Sequence, residues 1–510
     1  MPDLTGRAKF DCVKDWIARW ATYTPHRPAV KDHARQLVLS YADLNRLANR
    51  LAHHLTRDLG LKAGDRIGMI ADNCVEYVIL FGALQKTGII LAPYNYRLSS
   101  GELDYLLQDS QPKLLITEET YLPVMQAAPT FAHIPHHYRL GQLRALLSPE
   151  TLSMDDAHFP AKADIRGDDA IFILYTSGTT GFPKGACYTH DMLLWNSLNT
   201  ELRLHITGDD CTLNVMPPFH TGGWNVLLTP FLHHGAYTIL LKKFEAAEVL
   251  QLLDAEPCTI FMGVPTMLKM MADSPAFAGA SLEKIRYFIV GGEAMPVPLI
   301  DIWAKKGIPV RQGYGMTEVG PNLFSLHQDD ALRKKGSIGQ PNFYVETRIV
   351  DEKGRDMADD EAGELLLRGP MVTPGYWQHP EATAAAFLDG WFRTGDRVRR
   401  DPEGYYYVVD RIKNMFISGG ENVYPAEIER VLRQHPAVRE ACVVAMPHPK
   451  WGEVGKAFLS LQAGHALTEA DILAFCQDKL ARFKIPKAVV FLDELPKNAT
   501  GKIDRKVLQG

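Results

Sequence analysis

The chain has 510 residues, of which 46% are apolar and 23% charged, and it carries a formal net charge of −5. That length is too great for a single core and implies two or more domains, while the composition is that of a globular protein. No basic run or acidic tail points to nucleic acid, and no apolar stretch spans a bilayer, because the best one, 77–93, is interrupted by Gln85 and Lys86. The first residues, Met1-Pro2-Asp3-Leu4-Thr5, do not read as a signal peptide. The seven cysteines include no CxxC pair, so the expectation is a reduced, cytoplasmic protein.

In chain order, 41–59 has helical periodicity, with Leu44, Leu47, Ala48, Leu51 and Leu55 on one face. A turn leads to a strand at 66–70, then a helix at 76–87 and a strand at 88–93. This alternation predicts parallel sheets covered by helices. The apolar run 171–174 reads as a buried strand, and directly after it comes Tyr175-Thr176-Ser177-Gly178-Thr179-Thr180-Gly181-Phe182-Pro183-Lys184-Gly185. Glycines without a Cβ, four hydroxyl side chains and one lysine make a loop able to wrap a triphosphate. It is not a Walker A loop, because Pro183 precedes Lys184 and Gly185 follows it.

Further on, 246–253 reads as a helix, and 259–262 and 286–290 as strands, the last ending at Gly291-Gly292. From about Gly336 the texture becomes short strands and turns, at 347–350, 363–368 and 404–409. After Asp410-Arg411-Ile412-Lys413 a compact piece has its own pattern: helix at 426–433, strand at 441–446, helix at 470–480, strand at 488–492. The expected fold is α/β: a large N-terminal domain (1–410) of parallel sheets flanked by helices with a β-rich subdomain, and a small mobile α+β C-terminal domain (411–510) hinged near Lys413.

Five further signatures follow the loop: Met216-Pro217-Pro218-Phe219-His220-Thr221-Gly222-Gly223-Trp224, Gln312-Gly313-Tyr314-Gly315-Met316-Thr317-Glu318, Trp391-Phe392-Arg393-Thr394-Gly395-Asp396, Asp410-Arg411-Ile412-Lys413 with Ile417-Ser418-Gly419-Gly420-Glu421-Asn422-Val423-Tyr424-Pro425, and Pro496-Lys497-Asn498-Ala499-Thr500-Gly501-Lys502-Ile503. In this order the series resembles the adenylate-forming superfamily of acyl-CoA synthetases, luciferases and peptide-synthetase adenylation domains. The resemblance covers nearly the whole chain, and it is strongest to bacterial fatty-acyl-CoA synthetases.

The resemblance implies a two-step reaction: a carboxylate attacks the α-phosphate of ATP to give an acyl-adenylate and pyrophosphate, then the thiol of coenzyme A displaces AMP. Bringing one anion to another requires cations and directed donors. The implied ATP site is Thr176, Ser177, Gly178, Thr179, Thr180, Lys184, Gly292, Glu293, Ala294, Gln312, Gly313, Tyr314, Gly315, Met316, Thr317, Asp396 and Arg411. Within it, Tyr314 would lie flat against adenine and Asp396 would accept from the ribose hydroxyls. Glu318, with the Thr176 hydroxyl, would hold Mg2+. Lys502 would swing in to bridge the carboxylate and the α-phosphate. His220 would gate the acyl site rather than act as a base, because the acid is already ionised.

Thr221, Trp224, Val264 and Gly291 are the expected acyl-pocket residues. Gly222-Gly223 would leave room for a long tail, whereas Trp224 would close off a short or aromatic pocket. Ser418, Gly419, Gly420, Trp451, Phe483 and Lys487 are the expected coenzyme A residues, although Ile485 stands where some relatives carry arginine. Phe219-His220 occupies the place where peptide-synthetase domains carry an aspartate, which disfavours an amino acid. A medium- or long-chain fatty acid is the expected substrate, with a cinnamate- or benzoate-like acid, or transfer to a carrier protein, as alternatives. A lipophilic product suggests peripheral membrane contact, and a homodimer is a further expectation.

Overall fold

The structure, a computed structural model, describes residues 13–160, 164–176, 183–418, 421–449, 451–477, 479–480, 482–498 and 501–509. Two large sheets stand either side of the helix Val75–Thr87. One has six strands in the order His136–Arg139, Leu114–Thr117, Arg66–Ile70, Ile90–Pro93, Ala170–Thr176, Lys184–Thr189. Its pairings are parallel except the last, an antiparallel hairpin. The other has nine strands; its centre, running from Val310–Met316 through Tyr287–Val290, Ile260–Gly263, Cys211–Asn214 and Tyr237–Leu240 to Pro28–Asp32, is parallel.

Every residue of helix Val75–Thr87 is buried, and it contacts strands of both sheets. A helix covered on all sides needs apolar residues all round and loses its amphipathic stripe. The most membrane-like stretch of the chain is therefore this core helix. Phe81 meets Phe172 and Trp224, and Lys86 is satisfied by Asp15 and Asn45. Among the described residues no helix is long and apolar enough to cross a membrane.

Most expected elements appear within a residue or two of their expected bounds. The helix at 41–59 is α-helical over Tyr41–His53 and finishes as a π-turn, His54–Asp58. Ser40 opens it with a capping box, accepting from the Asp43 amide while the Asp43 carboxylate accepts from the Ser40 amide. The β-rich part is a five-stranded antiparallel sheet built on Glu346–Val350, Ala362–Arg368, Trp391–Arg400 and Tyr406–Arg411, with the short strand Phe387–Leu388.

The C-terminal domain has a five-stranded sheet of its own, led by the long pair Val438–His448 and Gly452–Leu461. Phe416, Ile428, Leu432, Val443, Leu459 and Ile472 form its separate core. The expected hinge stretch is more ordered than a linker. Asp410 and Arg411 end the strand Tyr406–Arg411, and Ile412–Asn414 is one 3-10 turn. Asp410 is buried, and its carboxylate accepts from the amides of Arg411 and Ala426, so it ties the strand to the first turn of helix Pro425–Leu432. A carboxylate at a helix N-terminus satisfies amides that have no partner within the helix.

Candidate active site

The glycine-rich segment joins the two strands of the hairpin, Ala170–Thr176 and Lys184–Thr189, instead of leading into a helix. Thr176 and Lys184 are direct cross-strand partners, which puts their side chains on one face. Ser177, Gly178, Thr179 and Thr180 lie outside the described residues. Strand Val310–Met316 delivers the second signature. A Cβ on Gly315 would sit 2.2 Å from the Pro321 carbonyl oxygen, so only glycine fits there. The turn Thr317–Val319 that follows carries Glu318 to the hairpin. There its Oε1 accepts from the Thr176 hydroxyl at 3.2 Å and from the Tyr376 hydroxyl at 3.1 Å.

One carboxylate beside one hydroxyl is a sparse, all-oxygen donor set. It fits Mg2+, a hard cation that keeps phosphate oxygens and water in its shell. Among the described residues no cluster of three or more His, Cys, Asp or Glu side chains offers a closed metal site.

Asp396 is held between two groups. The Tyr314 hydroxyl donates to its Oδ2 at 2.6 Å, and Arg411 Nε lies 3.2 Å from Oδ1. Burial pushes the Asp396 carboxyl above its usual range, while Arg411 and the Tyr314 hydroxyl pull it back. Burial and the Asp396 charge drive the Tyr314 phenol far up, so the proton stays on Tyr314. The Tyr314 ring meets Phe324 edge-on, 5.6 Å between centroids, and its hydroxyl is engaged by Asp396, a link that the reading of Tyr314 as a flat adenine platform did not contain.

Strand Tyr287–Val290, inside the nine-stranded sheet, stops at Val290, and the turn after it exposes Glu293 and Ala294. Gly292 has φ +83, the left-handed region that glycine tolerates best. Gln312 is buried and accepts from the Met295 amide, which braces this turn. Gly291 is half-buried, with the Gly313 carbonyl next to it. Met316 is half-buried and Thr317 buried.

Lys502 Nζ donates to the Gly292 carbonyl at 3.0 Å, from the other domain. Its backbone is shaped for this: Lys497 and Ile503 form an antiparallel bridge, the Asn498 amide donates to the Lys502 carbonyl, and Gly501 takes φ +85. Burial lowers the Lys502 ammonium from its ordinary value, and Glu293 and Asp396 counter that. His220 is held by the Gly222 amide, which donates to Nδ1 at 3.0 Å. The ring proton is thereby left to Nε2. Burial, reinforced by the Lys502 charge, brings the His220 pKa down to about 4.

A cleft of about 460 Å³ opens here, with Val264, Gly292, Glu293 and Lys502 on one side and Tyr96, Arg97, Lys242 and Lys243 on the other. The last four were not among the expected site residues. Arg97 lies over the rings of Tyr96 and Phe219, and Lys242 pairs with Glu118. The pair Lys242-Lys243 is the one local signal that could have pointed to them. Tyr376 was missed as well.

The expected acyl-pocket residues divide. Val264 lines the cleft, and Thr221 is buried, accepting from Asn225. Trp224 does not close a pocket. It is 1% exposed, packed on Tyr77, Phe81 and Phe172, with its indole N–H on the Pro218 carbonyl. The large apolar ring is drawn into the core between the sheets because burial there is worth more than a half-wet wall. Nor do Gly222 and Gly223 leave room for a tail. A Cβ on Gly223 would lie 2.3 Å from the Pro217 carbonyl oxygen, so the space is already filled by backbone.

Of the expected coenzyme A residues, Ser418 pairs with Gly452 across two strands, next to Trp451. The Lys487 amide donates to the Gly455 carbonyl on the same strand. Trp451, Phe483 and Lys487 are exposed. Gly419 and Gly420 lie outside the described residues.

A family model for AMP-binding enzymes matches residues 17–377, and one for the AMP-binding enzyme C-terminal domain matches 427–502. A feruloyl-CoA synthase of Amycolatopsis sp is 36% identical over 488 residues, 96% of each chain. The long-chain-fatty-acid–CoA ligase FadD13 of Mycobacterium tuberculosis is 38% identical over 495 residues, 97% of each chain. The crystal structure of ATP-bound MatB from Rhodopseudomonas palustris superposes with a TM-score of 0.89 at 32% identity, and the apo form with 0.79 at 33%, each covering 98% of both chains. The chain therefore belongs to the AMP-binding enzymes and is an AMP-forming acid–thiol ligase that produces acyl-CoA.

Proposed function

We propose that the acid is a medium- or long-chain fatty acid, activated with ATP and Mg2+ and then passed to coenzyme A. The observation that carries the chemistry is the Lys502 ammonium beside Gly292, at the mouth of a cleft shared by both domains. Withdrawal of Trp224 into the core removes the group that argued for a short pocket. Val264, Val215, Pro217, Met267 and Met270 instead give the cleft an apolar stretch, suited to an alkyl chain.

In this reading Glu318 and Thr176 hold Mg2+, which offsets the charge on the phosphates when bound. Lys184 steadies the same phosphates from the hairpin. Lys502 meets the negative charge that builds where the carboxylate approaches the α-phosphate, and a flexible cationic stem can leave afterwards. His220, neutral near pH 7, has no proton to remove from an ionised acid; its Nε2–H can donate one hydrogen bond to the carboxylate and orient it. Asp396 accepts from the ribose. Residues 1–410 and 411–510 act as two bodies. After adenylation the smaller one turns about the 411–414 segment and exchanges Lys502 for the face carrying Ser418, Trp451, Phe483 and Lys487. The cations Arg97, Lys242 and Lys243 suit the phosphates of coenzyme A.

An aryl acid is the second reading. Among the described residues the buried Asn196 Oδ1 has no hydrogen-bond partner, and it lies against Gly320, behind Thr221 and Asn225. A phenolic hydroxyl could satisfy it. A panel of alkyl and aryl acids, scored by AMP release with and without coenzyme A, decides between them. Turnover of hydroxycinnamates alone would overturn the fatty-acid reading.

A further inference from the structure

Residues 373–377 follow strand Ala362–Arg368 of the β-rich sheet and run along the outer strand of the phosphate hairpin. The Cys187 amide donates to the Gly375 carbonyl at 3.0 Å and the Trp377 amide to the Gly185 carbonyl at 2.7 Å, with Ala186 and Tyr376 as an antiparallel bridge. The segment thus adds a third strand beside the one that starts at Lys184. The Thr373 amide donates to the Glu318 carbonyl at 2.7 Å, and the Thr373 hydroxyl to the Cys187 carbonyl at 2.6 Å. Gly375 lets the Thr383 side chain press close, since a Cβ there would stand 2.4 Å from it, and the Thr383 hydroxyl accepts from the Tyr376 amide.

These contacts fix one side chain. Opposite Ala186, Tyr376 shares a face of the sheet with Lys184 and Thr176, because partners and next-nearest residues point the same way. The small Ala186 leaves the ring room to lean over. The Tyr376 hydroxyl donates to Glu318 Oε1 at 3.1 Å, and the Lys184 ammonium stands 5.6 Å from the centre of its ring. One residue therefore touches both the carboxylate and the cation of the phosphate site. Two hydroxyls on Oε1, from Thr176 and Tyr376, fix the carboxylate's rotation and so set where its other oxygen points.

We propose that Tyr376 is a positioning residue for the nucleotide's divalent cation: its hydroxyl orients Glu318 toward Mg2+, and its ring face holds Lys184 toward the phosphates. This rests on the reading of Glu318 as the Mg2+ carboxylate. Outer-shell hydrogen bonds to a ligating carboxylate are worth about 10- to 100-fold in metal affinity or activity. A cation over an aromatic face contributes less, and mainly where water is excluded.

The test is Tyr376→Phe in the full chain, with ATP binding measured calorimetrically over a Mg2+ series, without acid or coenzyme A. The Mg2+ concentration for half-maximal ATP binding rises about tenfold, while binding of ATP in EDTA stays within about twofold of wild type because the ring remains. Tyr376→Leu also weakens the Mg2+-free binding. That split between the two variants is one that a purely structural tyrosine would not produce. If Tyr376→Phe follows the wild-type Mg2+ curve, the proposal is wrong while the cation reading of Glu318 stands. If wild-type ATP binding does not respond to Mg2+, both fall together.

Discussion

The Tyr314 hydroxyl donates to Asp396 Oδ2 at 2.6 Å, joining the second signature to the third across 82 residues. The bond supports the ionised carboxylate at a buried place that disfavours it. Removing the donor in Tyr314→Phe lets burial act with less opposition, so the Asp396 pKa moves further up. In the proposed reading the carboxylate accepts from ribose, so its loss on the acid side appears at higher pH in the variant. The readout is KM for ATP against pH: the acid rise in KM begins earlier in Tyr314→Phe, and Arg411→Ala shifts it the same way. Superimposable profiles would show that Asp396 does not bind ribose as a carboxylate.

In the proposed adenylation step Lys502 acts as an ammonium, and burial lowers its pKa from the ordinary lysine value. ATP–pyrophosphate exchange therefore falls as pH rises through that lowered pKa, and Lys502→Arg moves the decline to higher pH. Lys502→Ala loses about 10²- to 10³-fold in exchange, the usual cost of one preorganised donor. It still converts supplied acyl-adenylate to thioester at near wild-type rate. Equal loss of both half-reactions in a folded variant would refute the assigned role.

The neutral state of His220 has a consequence for stability. Its folded pKa of about 4 lies below the value near 6.5 of an unfolded histidine. Between those values the unfolded chain binds more protons, so acid favours unfolding. Wild type should lose stability from pH 6.5 towards 4 by about 1.4 kcal/mol per pH unit more than His220→Asn. Denaturant unfolding at pH 7 and pH 5 measures the difference. His233 also titrates low, but it is common to both proteins and cancels in the comparison.

Trp224 serves the core, and its replacement separates packing from specificity. Trp224→Phe should destabilise by about 1–3 kcal/mol, since the smaller ring leaves a gap among Tyr77, Phe81 and Phe172 and the Pro218 carbonyl loses its donor. The ranking of acids by kcat/KM should stay as in wild type. A changed preference for chain length or ring size, measured at a temperature where both proteins are folded, would return Trp224 to the acyl pocket.

Much of the architecture can be read locally. Alternation of 2-fold and 3.6-fold apolar periods places the strands Arg66–Ile70 and Tyr287–Val290 and the helix Ala246–Ala255 within a residue or two. Glycine at 315 announces a close backbone approach, here to the Pro321 carbonyl. The helix Val75–Thr87 is the instructive exception: buried between two sheets, it keeps no stripe to betray which face is inward.

The order of the signatures already carries the resemblance to acid-activating enzymes, and loops, strands and caps can be read because neighbours in the chain specify them. What only folding decides is which distant groups meet. Thr176 reaches Glu318 across 142 residues, Tyr376 reaches it across 58, and Lys502 reaches Gly292 across 210. The tryptophan beside His220 turns away into the core for the same reason. Such pairings depend on sheet order and on packing between layers, and no local period encodes either.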